Sequence, residues 1–224
     1  MTDPADGFRP WHEYRLLSET EMCERASAFA DDLRRRRTIR DFSSKPVPLE
    51  VIRDCVRAAA SAPSGANRQP WHFVVVENQE TKQRIRRAAE QEELAFYGGR
   101  APDEWLRAVR PFGTSAEKPY LEKAPVIIAV FAQNYRGESD DSKTKNYYVN
   151  ESVGLACGML ISSIHLCGLA CLVHTPSPMR FLNEILDRPQ GERPYLLLIV
   201  GYPASGVRVP VISRRPFAEY VTFR

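Results

Sequence analysis

Residues 153–173 form an uncharged stretch, VGLACGMLISSIHLCGLACLV, which is long enough to cross a bilayer. A run of this kind is either a membrane span or part of a globular core. Gly168 is a natural helix end, and the LACLVHTP that follows it is typical of a buried strand ending at a proline. Two serines and a histidine dilute the hydrophobicity. We therefore favour a core helix followed by a core strand, and we expect no membrane association.

The rest of the chain alternates short apolar runs with amphipathic segments. With 224 residues, 43% of them hydrophobic and 26% charged, the chain is large enough for one ordinary globular core. Strands alternating with helices predict an α/β or α+β layer fold. The predicted helices cover residues 18–36, 49–60, 80–97, 149–167 and 180–186, and the predicted strands cover residues 72–77, 124–131, 169–174 and 195–201. Residues 98–119, rich in glycine and proline, are expected to be irregular.

The charge and the cysteines exclude several classes of protein. The net charge of +3 is too small to indicate nucleic-acid binding by itself. Five cysteines form no CxxC and no even set, so we expect free thiols in a reducing compartment. The four histidines are scattered, which argues against a metal site. The N-terminal segment lacks the apolar core of a signal peptide, and we expect a cytoplasmic protein.

An arginine run, Arg34–Arg37 followed by Arg40, leaves three interpretations open. Cations are favoured at the C-terminus of a helix, so part of the run could be structural. Alternatively, Arg36, Thr38 and Arg40 could converge on one phosphate dianion, which guanidinium groups bind well. Binding of nucleic acid is the third interpretation, although no aromatic residue interleaves with the run.

A loop of small residues, SAPSGANRQP, joins the second helix to the first strand. Ser64, Gly65 and Ala66 have very small side chains, so a flat ligand could approach their backbone closely. The alternative is an ordinary turn between a helix and a strand.

Together the two segments are far more specific than either alone. RRRRTIRDF followed by SAPSGANRQPWHFVVV resembles the FMN-dependent nitroreductase superfamily, and within it the flavin enzymes that remove halide from halogenated tyrosines. Further matching stretches are YLEKAPVIIAVF, NESVGLACGML and VGYP, so the resemblance extends from about residue 20 to residue 224.

The resemblance implies a fold and a domain organisation. The fold is an α+β nitroreductase-like three-layer fold, with a central mixed, mainly antiparallel sheet flanked by helices, in an interlocked homodimer. Residues 1–20 would be an N-terminal arm, and residues 21–224 a single FMN-binding domain with a lid at about residues 92–120.

The resemblance also implies the residues that hold FMN. The Arg-Arg-Thr-x-Arg segment would bind the phosphate and ribityl chain, together with Arg214 or its neighbour Arg215. Thr175 matches a catalytic hydroxyl that hydrogen-bonds flavin N5. Val173 and His174 lie where the family has threonines, so their side chains depart from the pattern. The matching cofactor positions are Arg36, Arg37, Thr38, Ile39, Arg40, Ser64, Gly65, Val173, His174, Thr175 and Arg214.

Four further positions match residues that bind the substrate. Glu93 and Tyr97 are four residues apart and would share a helix face. Glu93 would bind the ammonium of a tyrosine zwitterion, Lys118 its carboxylate, and Tyr97 would add a hydrogen bond. The backbone N–H of Ala66 would meet the phenolate. Read without the resemblance, the charged residues among these four are ordinary solvated surface groups.

The implied activity is reductive dehalogenation of 3-halo-L-tyrosines by reduced FMN, releasing halide and tyrosine. The implied partners are a halogenated tyrosine and a second copy of the chain, with neither nucleic acid nor membrane. The sequence leaves the electron donor open between NAD(P)H and a separate reductase. A general NAD(P)H-dependent nitro or quinone reductase is the alternative enzyme, and a flavin-free nucleic-acid-binding module is the alternative without catalysis.

Overall fold

The computed structural model describes residues 7–137 and 144–224. The chain divides into two compact units, Met1–Arg36 and Arg37–Arg224. The first contains helix α1, Glu19–Arg35. Ser18 caps it as the sequence predicts, because its Oγ accepts the Glu21 N–H at 3.3 Å while the Glu21 carboxylate accepts the Ser18 N–H at 3.2 Å. The predicted boundary between an arm and a domain at residue 20 stays a prediction.

The second unit contains the sheet and the remaining helices. The helices are α2 (Leu49–Ala60), α3 (Gln79–Ala95), α4 (Asp103–Val109), α5 (Tyr120–Lys123), α6 (Val149–Leu166) and α7 (Phe181–Ile185). The strands are β1 (Trp71–Val76), β2 (Val126–Gln133), β3 (Tyr135–Arg136), β4 (Thr144–Lys145), β5 (Ala170–His174) and β6 (Glu192–Gly201). The main helices and strands predicted from the sequence are thus confirmed to within a few residues.

The main sheet has four strands in the order β1-β2-β6-β5, and each neighbouring pair is antiparallel. One parallel bridge, between Thr38 and Cys171, extends it beyond β5. β3 and β4 form a separate two-stranded ribbon. The central strands β2 and β6 are buried on both faces, which explains why the sequence shows them as continuous apolar runs rather than alternating ones.

Helices cover the sheet on both faces. Alternate residues of β2, such as Ile128 and Val130, pack with α2 and α6. The residues between them, such as Ile127 and Ala129, pack with α3, α5 and α7. Because successive side chains of a strand point to opposite faces, each central strand contributes to two cores. The result is the three-layer arrangement that the sequence predicts.

Helix α6 contains most of the uncharged stretch. By length and composition it could cross a membrane, and no other helix in the described ranges meets both criteria. Its buried residues, Val153, Ala156, Leu160 and Ile164 among them, belong to the core beside α2. Leu155, Met159 and Leu166 are exposed on the same helix. One face of α6 is therefore buried in the core, as predicted, and another face exposes apolar side chains.

The segment expected to be irregular contains a helix instead. α4 follows Pro102, and Asp103 and Glu104 place two carboxylates in its first turn, where the helix dipole favours them. A π turn, Phe96–Arg100, connects α3 to this region. The sequence did not predict α4, because the glycines and prolines on either side of it are typical of irregular segments.

Gly201 closes β6 against the loop before β2. A Cβ at this position would lie 2.6 Å from Pro125 Cδ and 3.4 Å from Phe42 Cδ1. We predict that Gly201→Ala lowers the free energy of unfolding by about 1–3 kcal/mol, because the surrounding core must shift. Gly191→Ala is the matched control, since a Cβ there meets no atom within 4 Å, and it should change stability by less than about 0.5 kcal/mol. Urea unfolding of both variants tests this, and equal stability of the two would contradict it.

Candidate active site

The arginine segment of the second unit lies beside the edge strand β5. Thr38 forms a parallel bridge with Cys171, and the Ile39 N–H donates to the Cys171 carbonyl at 3.4 Å. Ile39 is buried in the core and anchors the segment. Because β5 continues into Thr175, two of the predicted flavin-binding segments are neighbours in the fold, although more than 130 residues separate them in the sequence.

The C-terminal tail meets the same segment. The Arg37 guanidinium donates a hydrogen bond to the carbonyl of Pro210. Arg214 and Arg215 follow four and five residues later and are both exposed. The contact therefore brings the tail with its two arginines to the segment that contains Arg37. Arg36 is the C-cap of α1 and belongs to the first unit.

The Ser64–Gln69 loop has an unusual backbone. Ala66, Asn67 and Gln69 have φ of 50°, 52° and 50°, in the left-handed region that residues other than glycine seldom occupy. The loop is held by the Gln69 N–H, which donates to Ser64 Oγ at 2.9 Å. Such conformations cost about 1–3 kcal/mol each, and they cluster where ligands bind.

Gly65 is required by its neighbours at the start of α6. Its N–H donates to Ser152 Oγ at 3.4 Å. A Cβ on Gly65 would lie 2.8 Å from Tyr148 Cδ2 and 3.0 Å from the Tyr147 carbonyl oxygen. The backbone of the predicted flavin-contacting loop is therefore packed tightly against α6.

The segment after β5 alternates in exposure. Val173 is 43% exposed and Thr175 is also exposed, whereas His174 between them is only 7% exposed. The His174 ring packs edge-on against Tyr120, with its Nδ1 3.5 Å from the Tyr120 hydroxyl. Its Nε2 has no hydrogen-bond partner in the part of the chain that the structure describes. Burial, with the nearby charge of Lys118, lowers the pKa of His174 to about 3, so the ring is neutral near pH 7.

Lys118 and Glu93 form a buried ion pair. The Lys118 Nζ lies 3.3 Å from Glu93 Oε2, and the two side chains are only 3% and 12% exposed. Burial lowers the pKa of the Lys118 ammonium, while the charge of Glu93 opposes that shift. Two residues that the sequence assigns to opposite ends of one substrate thus contact each other directly.

Tyr97 completes this group, although it does not lie on α3. It belongs to the π turn after the helix, and its ring lies 5.6 Å from Lys118 Nζ, in a cation–π contact. Its hydroxyl donates to Thr114 Oγ1 at 3.3 Å. Phe96 and Tyr97 also pack against Trp105 of α4, with ring centroids 5.0 and 5.7 Å apart. The sequence did not indicate Trp105, because its role depends on a helix hidden among glycines and prolines.

Arg40 connects the two groups of residues. It lines a cavity of about 200 Å³ together with Lys118, Tyr120, Thr114, Ser115 and Glu117. Thr114 Oγ1 and the Ser115 carbonyl both contact the Lys118 ammonium. The sequence assigned Arg40 to the cofactor only, and the structure places it beside the predicted substrate lysine as well. The cavity therefore presents two cations and several hydroxyl groups beside a single carboxylate, a set that suits an anionic ligand.

Comparisons with known proteins show which family the chain is similar to. The model of the nitroreductase family matches residues 33–202. An iodotyrosine deiodinase of Haliscomenobacter hydrossis is 51% identical over 87% of this chain and 88% of its own length. An iodotyrosine deiodinase of Nematostella vectensis is 38% identical over 93% of this chain and 80% of its own length.

A solved structure shows the same fold. It is an oxidised iodotyrosine deiodinase bound to FMN and 3-iodo-L-tyrosine, with a TM-score of 0.73 and 32% sequence identity. It covers 87% of this chain, and all of that structure's chain is matched. The chain therefore belongs to the nitroreductase family, within its iodotyrosine deiodinase branch.

Proposed function

We propose that this chain is an FMN-dependent oxidoreductase that removes halide from 3-halo-L-tyrosines and releases tyrosine. In this reaction the carbon–halogen bond breaks and the halide leaves with the bonding electron pair, while a proton and two electrons from reduced FMN form the new carbon–hydrogen bond. The observation that carries the proposal is the buried pair of Lys118 and Glu93 beside the Arg40 cavity. The relatives named iodotyrosine deiodinase support the same reaction.

The chain offers a binding site that fits FMN. Arg37, Thr38 and Arg40 lie on the segment beside β5, and Thr175 is exposed directly after that strand. Pro210, four residues before Arg214, accepts a hydrogen bond from Arg37. A phosphate near −2 requires several positive donors, and Arg37, Arg40 and Arg214 are the residues proposed to supply them. The small side chains of Ser64 and Ala66 and the strained Ala66 backbone suit close approach by a flat ring, while Gly65 packs against the start of α6. FMN, when bound, supplies the two electrons that the amino-acid side chains cannot provide.

The proposed role of the Lys118–Glu93 pair is to exchange partners with the substrate. A buried ion pair is costly to break when one charge is left alone, by about 3–5 kcal/mol. An amino-acid zwitterion avoids that cost, since its carboxylate meets Lys118 while its ammonium meets Glu93. Tyr97, already against Lys118, would then hydrogen-bond the same group. Both charges of the protein remain compensated throughout.

The proposed quaternary state is a homodimer. Leu155, Met159 and Leu166 leave an apolar surface on α6, and the tail exposes Ile212 and Phe223 as well. Covering such surface in a second copy would stabilise the protein by removing it from water. The dimer is expected to be cytoplasmic, and NAD(P)H and a separate reductase are both candidate electron donors.

A flavin titration tests the proposed function. The purified protein should contain FMN, and its fluorescence should be quenched strongly by 3-iodotyrosine and weakly by tyrosine or a nitroarene. A halogen makes the phenol more acidic, so donors near Ala66 should favour the halogenated ring. Similar weak quenching by all three ligands would leave a flavin protein of nitroreductase fold and exclude the halotyrosine pocket.

Glu93→Gln should weaken 3-iodotyrosine binding by about tenfold to a hundredfold, because a charge-assisted hydrogen bond to the substrate ammonium is lost. Reduction of a nitroarene should scarcely change. Glu92→Gln is the matched control, since Glu92 pairs with Arg100 at 3.3 Å rather than with the lysine. If Glu93→Gln weakened 3-iodotyrosine binding and nitroarene reduction by the same factor, the role assigned to Glu93 would be contradicted.

Ligands with a single charge should bind no better than a neutral ligand. 3-Iodotyramine would pair with Glu93 and leave Lys118 alone, and the corresponding iodinated phenylpropionate would do the reverse. Each would break a buried pair without restoring it. We predict that both quench flavin no more tightly than 2-iodophenol, while 3-iodotyrosine is far tighter than all three. Tenfold tighter binding of either singly charged ligand than of 2-iodophenol would contradict partner exchange.

A further inference from the structure

The face of α3 that carries Glu93 also carries two other charged residues, Arg86 and Glu90. These three positions are spaced by four and three residues, so they lie on one side of the helix. That side faces the segment that contains Lys118 and α5. Neither Arg86 nor Glu90 has a role in the proposed function.

Glu90 contacts the backbone of Lys118, not its side chain. Glu90 Oε1 accepts the Lys118 N–H at 2.6 Å, and this hydrogen bond is partly buried. The N–H belongs to the turn that leads into α5, where no earlier helical carbonyl can accept it. A carboxylate acceptor gives this bond more strength than a neutral one would.

Arg86 fixes the Glu90 carboxylate in place. Its Nε donates to Glu90 Oε1 at 2.9 Å, and its Nη1 donates to Glu122 Oε2 at 3.0 Å. Glu122 lies on α5, only four residues after Lys118, and it also accepts a bond from Gln83 at 3.0 Å. Hydrogen bonds from Gln83 and Arg86 lower the pKa of the Glu122 carboxyl. Arg86 therefore links Glu122 of α5 to Glu90 of α3, and Glu90 in turn accepts the Lys118 N–H.

We infer that Glu90 is a positioning residue for the substrate carboxylate, acting through the backbone of Lys118. Glu93 holds the lysine at its ammonium, whereas Glu90 holds it at its N–H, so the two carboxylates fix both ends of one residue. When a substrate takes Glu93 away from the lysine, the Glu90 contact remains. The Lys118 ammonium then stays in the position where the substrate carboxylate binds. This inference rests on the proposed function.

A double-mutant cycle tests the inference. Glu90→Ala should weaken 3-iodotyrosine binding, measured by flavin quenching, by about tenfold. The same substitution in a Lys118→Ala background should change affinity by less than about twofold, since a residue that acts through Lys118 has nothing left to position. Glu90→Gln keeps an oxygen acceptor for the N–H and should recover part of the affinity. FMN content and binding of 2-iodophenol should be unchanged in Glu90→Ala and Glu90→Gln.

A second measurement needs no substrate. Hydrogen exchange of the peptide that contains Lys118 should become about tenfold faster in Glu90→Ala, and less so in Glu90→Gln, because the amide loses its acceptor. Glu92→Ala is the matched control and should leave this exchange unchanged.

The outcomes separate this inference from the proposed function. Equal losses of affinity in the wild-type and Lys118→Ala backgrounds, an equal loss for 2-iodophenol, or unchanged exchange at Lys118 would overturn the role of Glu90 alone. Failure of the unsubstituted protein to bind 3-iodotyrosine would overturn the proposed function and this inference together.

Discussion

The pairing of β2 with β6 is the interaction on which the rest of the second unit depends. Both strands are buried on both faces, so each must be covered by helices on two sides. α2 and α6 cover one face, and α3, α5 and α7 cover the other. Because a doubly buried strand pair has no solvated side, helices on only one face would leave a core exposed to water. The three-layer fold follows from these two apolar runs.

Part of the candidate site lies at the edge of this sheet. β5 is an edge strand, and the segment from Arg37 to Arg40 takes the place of a further strand beside it. α3 places Glu90 and Glu93 against Lys118 in the turn before α5. A helix thus positions the two carboxylates, and segments held against β5 and α5 carry the arginine and the lysine.

The sequence predicted the sheet, the principal helices and the family, because apolar periodicity and distinctive motifs are local signals. It did not predict α4, whose helix is stabilised by Trp105 packing on Phe96 and Tyr97, contacts that no local pattern shows. Nor did it predict that Lys118 is almost fully buried, since a lysine among polar residues is typical of a surface. The sequence also did not indicate Glu90, because its partner is a backbone N–H 28 residues further along the chain.

The substrate side of the candidate site comes almost entirely from one stretch of chain. Glu90, Glu93, Tyr97, Thr114 and Lys118 all lie within residues 90–118, and Ala66 and Arg40 are the exceptions. The proposed flavin contacts, in contrast, are gathered from distant parts of the sequence. Evolution can therefore replace or remodel one contiguous segment and alter the preferred substrate while the cofactor-binding scaffold stays intact. A family built this way can diversify by insertion, deletion or exchange within that segment, without a change of fold.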